Sequence, residues 1–306
     1  MLKSILKNNT LIANDYIEFN TASNGHYTIG TIGGNPNSST DDNKKMLFGH
    51  PGGGTSKTTI VVGESINEFT SSNVTYDADG SKSVSKASYD GVDVTQELSI
   101  IENSATGRDD VVKIKYIVKN DTEYAKQVGI RIMMDTMLGG NDAAPFRVNG
   151  SDVTTETVYS GSNIPQIWQA FDSATNPGVV AQGTFYKSGD RKPDKVQFTN
   201  WGNVTSTLWD YVTQPGRSNG DSAVSITWNK DTFTSGETRE FVTYYGLSEL
   251  EQNLIPPLAL SVYADNKVSI SNFNYDDINA NVYLDNIGDG DATDVSIKIT
   301  ADNLEP

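Results

Sequence analysis

Between residues 92 and 134 the chain alternates apolar and polar side chains three times in succession. Val92, Val94, Leu98 and Ile100 alternate with Asp93, Thr95, Glu97 and Ser99. Val112, Ile114, Tyr116 and Val118 then alternate with Lys113, Lys115 and Lys119, and Val128, Ile130, Ile132 and Met134 with Gly129, Arg131 and Met133. A period of two places successive side chains on opposite faces of a sheet, which a helix cannot do. The links ENSATGRDD and NDTEYA are polar turn material, so the pattern predicts three strands in an antiparallel meander.

The rest of the chain continues in kind. DYIEF, HYTIGT, KTTIVV, SNVTYDA, TTETVYS, PQIWQAF, GVVAQGTFY, DKVQFTNW, AVSITW and REFVTYYGL read as strands separated by Gly, Asn, Asp, Ser and Pro clusters. That spacing predicts an all-β fold, a large antiparallel β-sandwich over residues 1–255. Only Ser248–Leu254, SELEQNL, could make a turn or two of helix. Pro256-Pro257 then stiffens a linker. Beyond it Val282 and Leu284, and then Val295, Ile297 and Ile299, alternate on either side of NIGDGDATD. Residues 256–306 therefore read as a linker and a partial Ig-like β segment, about half the length of a whole domain.

The bulk numbers remove several function classes. The 306-residue chain carries a net charge of −16. Such a field repels phosphate backbones and anionic lipid, so neither nucleic acid nor membrane insertion is expected. There is no cysteine, which excludes disulfides, thiolate metal sites and a cysteine nucleophile. The start, MLKSILKNNTLIAND, has apolar stretches too short for a signal peptide, so the chain reads as made without one or as a piece of something longer.

Several stretches have the look of sites. Residues 49–62, GHPGGGTSKTTIVV, resemble a phosphate-binding loop at first sight. With Lys57 as its lysine, the required glycines fall on Pro51 and Ser56, and a β-branched run follows where a helix must begin. The stretch is a glycine-rich, mobile loop entering a strand. His50, ahead of Pro51, is expected to be exposed there and able to contact a ligand. His26 and His50 are the only histidines, so any Ser–His–Asp site needs one of them.

Carboxylates are abundant. The richest local group lies in MDTMLGGNDAAPFR, residues 134–147, where Asp135, Asn141 and Asp142 offer hard oxygen ligands suited to calcium; the bland reading is Asn and Asp turn chemistry. Asp41 and Asp42 lack ordered ligand spacing, and NGDS at 219–222 is a simple turn. DNIGDGDATD at 285–294 fails as an EF-hand because Asp294 stands where glycine is needed. No cofactor other than calcium is indicated. Trp201, Trp209 and Tyr211 lie in a polar, glycine-containing segment, and such rings stack on sugars; core or loop anchoring is the competing reading. Trp168 and Trp228 sit inside strand patterns and belong to the core.

Taken as strings, DDNKKMLFGHPGGGTSKTTIVV, RIMMDTMLGGNDAAPFRV, IPQIWQAFDSATNPGVVAQGTF, NWGNVTSTLWDY and REFVTYYGL resemble a domain of long exported or surface-anchored proteins of Gram-positive bacteria, especially clostridia. There it stands beside von Willebrand A-like, CARDB-like or other Ig-like repeats. The resemblance spans roughly residues 10 to 250 and implies a sandwich of the galactose-mutarotase-like supersandwich sort. VYLDNIGDGDATDVSIKI is similar to a CARDB-type module. The expected function is a non-enzymatic extracellular or cell-surface module, structural or binding a glycan or a surface protein. The alternative is a carbohydrate-active enzyme on the same fold, which would need His26 or His50 in a groove.

Overall fold

A computed structural model describes residues 11–77, 80–103, 106–251, 258–264, 270–271, 274–275, 280–286 and 295–297. The first strands are β1 (Leu11–Ala13), β2 (Ile17–Thr21) and β3 (Tyr27–Thr31). After the glycine-rich loop come β4 (Lys57–Val62), β5 (Ser65–Glu68), β6 (Val74–Tyr76), β7 (Lys82–Tyr89), β8 (Val92–Asn103), β9 (Arg108–Asn120) and β10 (Lys126–Asp135). Then follow β11 (Phe146–Val148), β12 (Ser151–Val153), β13 (Thr157–Ser160), β14 (Ile167–Phe171), β15 (Val180–Thr184) and β16 (Lys195–Asn200). A one-turn helix, α1 (Trp201–Val204), and a long loop lead into β17 (Ser222–Phe233) and β18 (Thr238–Leu247). The C-terminal pieces are β19 (Glu249–Glu251), β20 (Leu258–Ala264), β21 (Ile270–Ser271), β22 (Asn274–Tyr275) and β23 (Ala280–Asn286).

The fold is an all-β, antiparallel sandwich. One sheet has six strands in the order β13-β16-β17-β10-β4-β5, and the other nine in the order β12-β11-β14-β15-β18-β9-β8-β7-β6. Strands β1–β3 form a separate three-stranded sheet. The apolar residues of the alternating runs face inward between the large sheets and fuse into one core. Aromatic rings cross that layer: Phe146 of β11 lies 5.0 Å from Phe198 of β16, and Trp228 of β17 lies 5.5 Å from Phe241 of β18. Trp168 and Trp228 are fully buried, as their strand patterns require.

Three expectations need correction. β8 and β9 pair as predicted, but β10 does not continue their meander; it crosses to the six-stranded sheet between β17 and β4. Asn120 holds the crossing, donating from Nδ2 to the carbonyls of Tyr124, Phe233 and Thr234. The stretch expected to turn as a helix contributes a strand, β19, because Glu249–Glu251 finds a partner in Leu258–Leu260 of β20. Val282 and Leu284 lie in β23 as expected. Val295 and Ile297 instead stand exposed outside any strand, with no neighbouring strand among the described residues to pair with. The turn at 287–294 lies outside the described residues.

The small C-terminal sheet, β19-β20-β23, leans on the outer face of the nine-stranded sheet. Gln169 of β14 donates to Ser261 of β20 at 3.0 Å and to Ser248 at 3.3 Å. Both Gln169 and Ser261 are buried there. Among the described residues no helix is long and apolar enough to cross a membrane.

Candidate functional site

The glycine-rich loop is not the free arm its composition suggests. His50 is only 6% exposed. Its ring lies against Gly30 of β3, where an added Cβ would come within 2.3 Å of Cδ2. Nε2 is 2.8 Å from Glu18 Oε1 and Nδ1 is 3.1 Å from Thr28 Oγ1, so both ring nitrogens are used inside the fold. Asn20 donates to the Pro51 carbonyl, and Thr55 donates to Asp135. His26 is likewise engaged, with Nε2 3.0 Å from Glu68 and Nδ1 3.4 Å from the Gly54 carbonyl. Lys57 is half-buried with Nζ 3.4 Å from the same Glu68. The missing side chain at Gly30 leaves room for the His50 ring, and Glu18 and Thr28 hold its nitrogens there.

Trp201, Trp209 and Tyr211 belong to the segment that seals the outer face of the six-stranded sheet. The segment is bolted down by two buried charges. Arg131 of β10 donates from Nη2 to Val204 O (2.8 Å), from Nη1 to Thr207 O (2.7 Å) and Trp209 O (3.2 Å), and from Nε to Ser225 Oγ (3.0 Å). Burial lowers its guanidinium to about 10, with the Asp210 carboxylate partly opposing. Glu156 lies on the other side, 3% exposed. It accepts from Gln214 N, Tyr211 OH, Asn203 Nδ2 and Thr199 Oγ1 at 2.7–3.0 Å. Burial pushes its carboxyl up, but these donors outweigh it and hold it below the usual range. Tyr211 is buried, its hydroxyl committed to Glu156. The half-buried Trp209 lies over Gly129 of β10, where a Cβ would meet its ring at 2.6 Å. Trp201 packs beside Met133, Val204 and Ala223. The three rings anchor the segment.

The carboxylates form a different group from the one the sequence suggested. Asp135, Asp142 and Asp221 converge, with one oxygen of each within 4.8 Å of the others. They come from the end of β10, the loop after it, and the residue before β17. Asn141, the third expected ligand, points elsewhere: its Nδ2 donates to Asp172 O at 2.9 Å and its Oδ1 accepts from Ala143 N. Asp221, dismissed as part of a simple turn, takes its place, with a left-handed φ of 62°. Only the pairing of β10 with β17 brings it near, which no local pattern announces. Asp135 is 2% exposed. Its Oδ1, and Asp142 Oδ1, are buried with no hydrogen-bond partner. Burial first, then repulsion from Asp221 and Asp142, raises the Asp135 carboxyl to about 7, against the hydrogen bond from Thr55. Burial also raises Asp142 and Asp221. Asp41 folds back on its own loop instead, accepting from Asn35 N at 2.9 Å.

A cleft of about 660 Å³ opens between β13, the 3-10 turn Gly161–Asn163 and β23. Tyr159, Tyr186 and Tyr283 line it, with Asn149, Asn163 and Gln166 among the polar groups; none of its described lining residues is charged, and the Lys192 ammonium lies 5.2 Å over the Tyr186 ring. Tyr159 is set by an edge-to-face contact with Phe198, ring centroids 6.0 Å apart. The sequence lists these tyrosines only as members of strand patterns. Their meeting depends on β13 being an edge strand and on β23 reaching across from the C-terminal sheet.

No family model matches the chain, and no curated protein matches it either. Among solved structures it is similar to a galactose mutarotase related enzyme from Lactobacillus acidophilus, at 7% identity and TM-score 0.44, covering 79% of this chain and 97% of that one. A galactose mutarotase-like protein from Lactobacillus casei matches at 10% identity and TM-score 0.42, covering 78% and 99%. A polysaccharide lyase matches at 9% identity and TM-score 0.44, covering 90% of this chain and 43% of that one. These likenesses concern the arrangement of strands.

Proposed function

We propose that this chain is a non-enzymatic extracellular or cell-surface module that binds a neutral glycan in the tyrosine cleft. The observation that carries the reading is the lining itself. One residue in five of the chain is charged, yet the described lining of the cleft combines three tyrosines with amides and hydroxyls and has no charged side chain, the Lys192 ammonium standing 5.2 Å over the Tyr186 ring beside it. Aromatic faces stack on the C–H faces of sugar rings, while amides satisfy hydroxyls in both directions. Binding is favoured over acid–base catalysis at this cleft because neither a carboxylate nor an imidazole is among its described lining residues. Both histidines are spent on Glu18, Glu68 and neighbouring groups away from it.

The test is a glycan array with the purified chain, including neutral and uronate-bearing glycans. Neutral glycans should bind, and Tyr283→Ala should weaken that binding by about tenfold, the loss of one good stacking contact. Trp201→Ala and Trp209→Ala should leave it unchanged. Binding confined to charged glycans, or insensitive to Tyr283→Ala and Tyr186→Ala, would remove the reading.

A further inference from the structure

We propose that Asp135, Asp142 and Asp221 bind one divalent hard cation of calcium's chemistry, fastening β10, the loop after it and the start of β17 to one another. Three acidic side chains alone do not make a site. What points to a ligand here is the state of their oxygens. Asp135 Oδ1 sits inside the protein without a partner, and Asp142 Oδ1 does the same. Buried polar atoms are almost always satisfied, and an unsatisfied one in a native fold asks for an unseen partner. Thr55 holds the other oxygen of Asp135, Oδ2, which fixes the direction in which Oδ1 is presented.

The partner must be positive. Lys45 opposes Asp142 only as a neighbouring charge, and among the described residues no ion pair joins a cation to Asp135, Asp142 or Asp221. Every donor in the group is a carboxylate oxygen, which suits a hard cation and not zinc or copper. The oxygens all lie within 4.8 Å of one another, a span that a single ion with bonds of roughly 2.4 Å can bridge, and calcium sheds its water and adapts its geometry more readily than magnesium. Three carboxylates leave room for carbonyls and water to complete six to eight ligands. The site is separate from the tyrosine cleft. In the six-stranded sheet Asp135 is level with Ala223 and Thr199, whereas Tyr159, three strands away, is level with Val196 and Ile226.

The experiment is calorimetric titration of the EDTA-stripped full chain with calcium chloride, joined to thermal unfolding at fixed ionic strength. One calcium per chain should bind, and about 1 mM calcium should raise Tm by about 2–4 °C. Magnesium should do less. Asp221→Asn and Asp142→Asn should each abolish heat and shift, while Asn141→Ala, whose side chain faces Asp172, should keep both. Because the response is a difference between calcium and EDTA on the same protein, a variant of lower basal stability still reports it. Absence of heat and of any shift at about 5 mM calcium, or an equal shift in Asp221→Asn, would overturn the proposal in favour of a shared proton. Neither outcome bears on glycan binding by the tyrosine cleft.

Discussion

Glu156 and Asp135 are both buried carboxylates, yet they sit in opposite circumstances. Glu156 has two oxygens and four donating groups around them, two side-chain hydroxyls, one amide nitrogen and one backbone N–H. Asp135 has one donor, Thr55, one oxygen without a partner, and two like charges beside its carboxylate. The protein has equipped the first as an anion and left the second wanting a cation or a proton. A satisfied buried charge organises structure, and here it pins the segment that carries Trp201, Trp209 and Tyr211. An unsatisfied one marks a place where something else completes the fold. The comparison therefore separates two kinds of acidic residue that look alike in the sequence.

The hardest blow to this comparison comes from removing Glu156. Glu156→Ala strands the Tyr211 hydroxyl, the Asn203 amide, the Thr199 hydroxyl and the Gln214 N–H together. At about 1–3 kcal/mol for each abandoned buried group that cannot find water, the net loss should be about 3–5 kcal/mol. Urea unfolding followed by tryptophan fluorescence measures it, and Trp201 and Trp209 lie in the affected segment. A loss under about 1 kcal/mol would show that the segment is held by packing alone and that Glu156 is no anchor.

The pH dependence should run in opposite directions at the two residues. Asp135 has a folded pKa of about 7 against about 3.9 unfolded. Below the unfolded value both states are protonated and its favourable contribution is complete; as pH rises towards 7 the unfolded chain sheds the proton first and stability drains away. Metal-free wild type should thus lose roughly 2–4 kcal/mol relative to Asp135→Asn between about pH 4 and pH 7. Glu156 is lowered, so its contribution is present above the unfolded pKa and lost as pH falls through the folded one. Denaturation curves of wild type and Asp135→Asn across that range, and of wild type and Glu156→Gln from about pH 5 down to about pH 2, check both signs. Parallel curves would mean that the two carboxylates share one environment.

Much of the sandwich was legible because burial on one face leaves a period of two in the text. The runs at 92–100, 112–118 and 128–134 all became strands, and Trp168 and Trp228 went to the core. What alternation cannot carry is sheet membership. β10 reads like the third strand of a meander, but its polar-side residues Gly129, Arg131 and Met133 are covered by the 201–221 segment, and the strand lies in the opposite sheet. The candidate sites were legible only where they are local. Asp135 and Asp142 stand seven residues apart and were found; Asp221 joins them only through strand pairing. His50 was misplaced because a glycine-rich context says nothing of Gly30 waiting opposite. Tyr159 of β13, Tyr186 of the loop after β15 and Tyr283 of β23 line one cleft from positions far apart in the chain.

The smallest expected effect is also the one that sharpens the comparison most. Two like charges no more than about 5 Å apart at an effective dielectric near 20 repel by at least about 3 kcal/mol before salt screening, and screening at a half-buried site leaves about 1 kcal/mol. Asp221→Asn removes one of those charges and offers an amide donor to a neighbouring carboxylate oxygen. In EDTA near neutral pH the variant should therefore be more stable than wild type by about 0.5–1 kcal/mol. In about 1 mM calcium the order should reverse, because wild type gains its ligand and the variant does not. Glu156→Gln, the same exchange of carboxylate for amide, should destabilise under both conditions, since its new N–H₂ would face donors. A reversal at Asp221 with none at Glu156 separates a vacancy for a cation from a completed structural knot. If Asp221→Asn is less stable than wild type even in EDTA, repulsion is not what dominates that cluster, and the orphaned oxygens have found a partner within the protein.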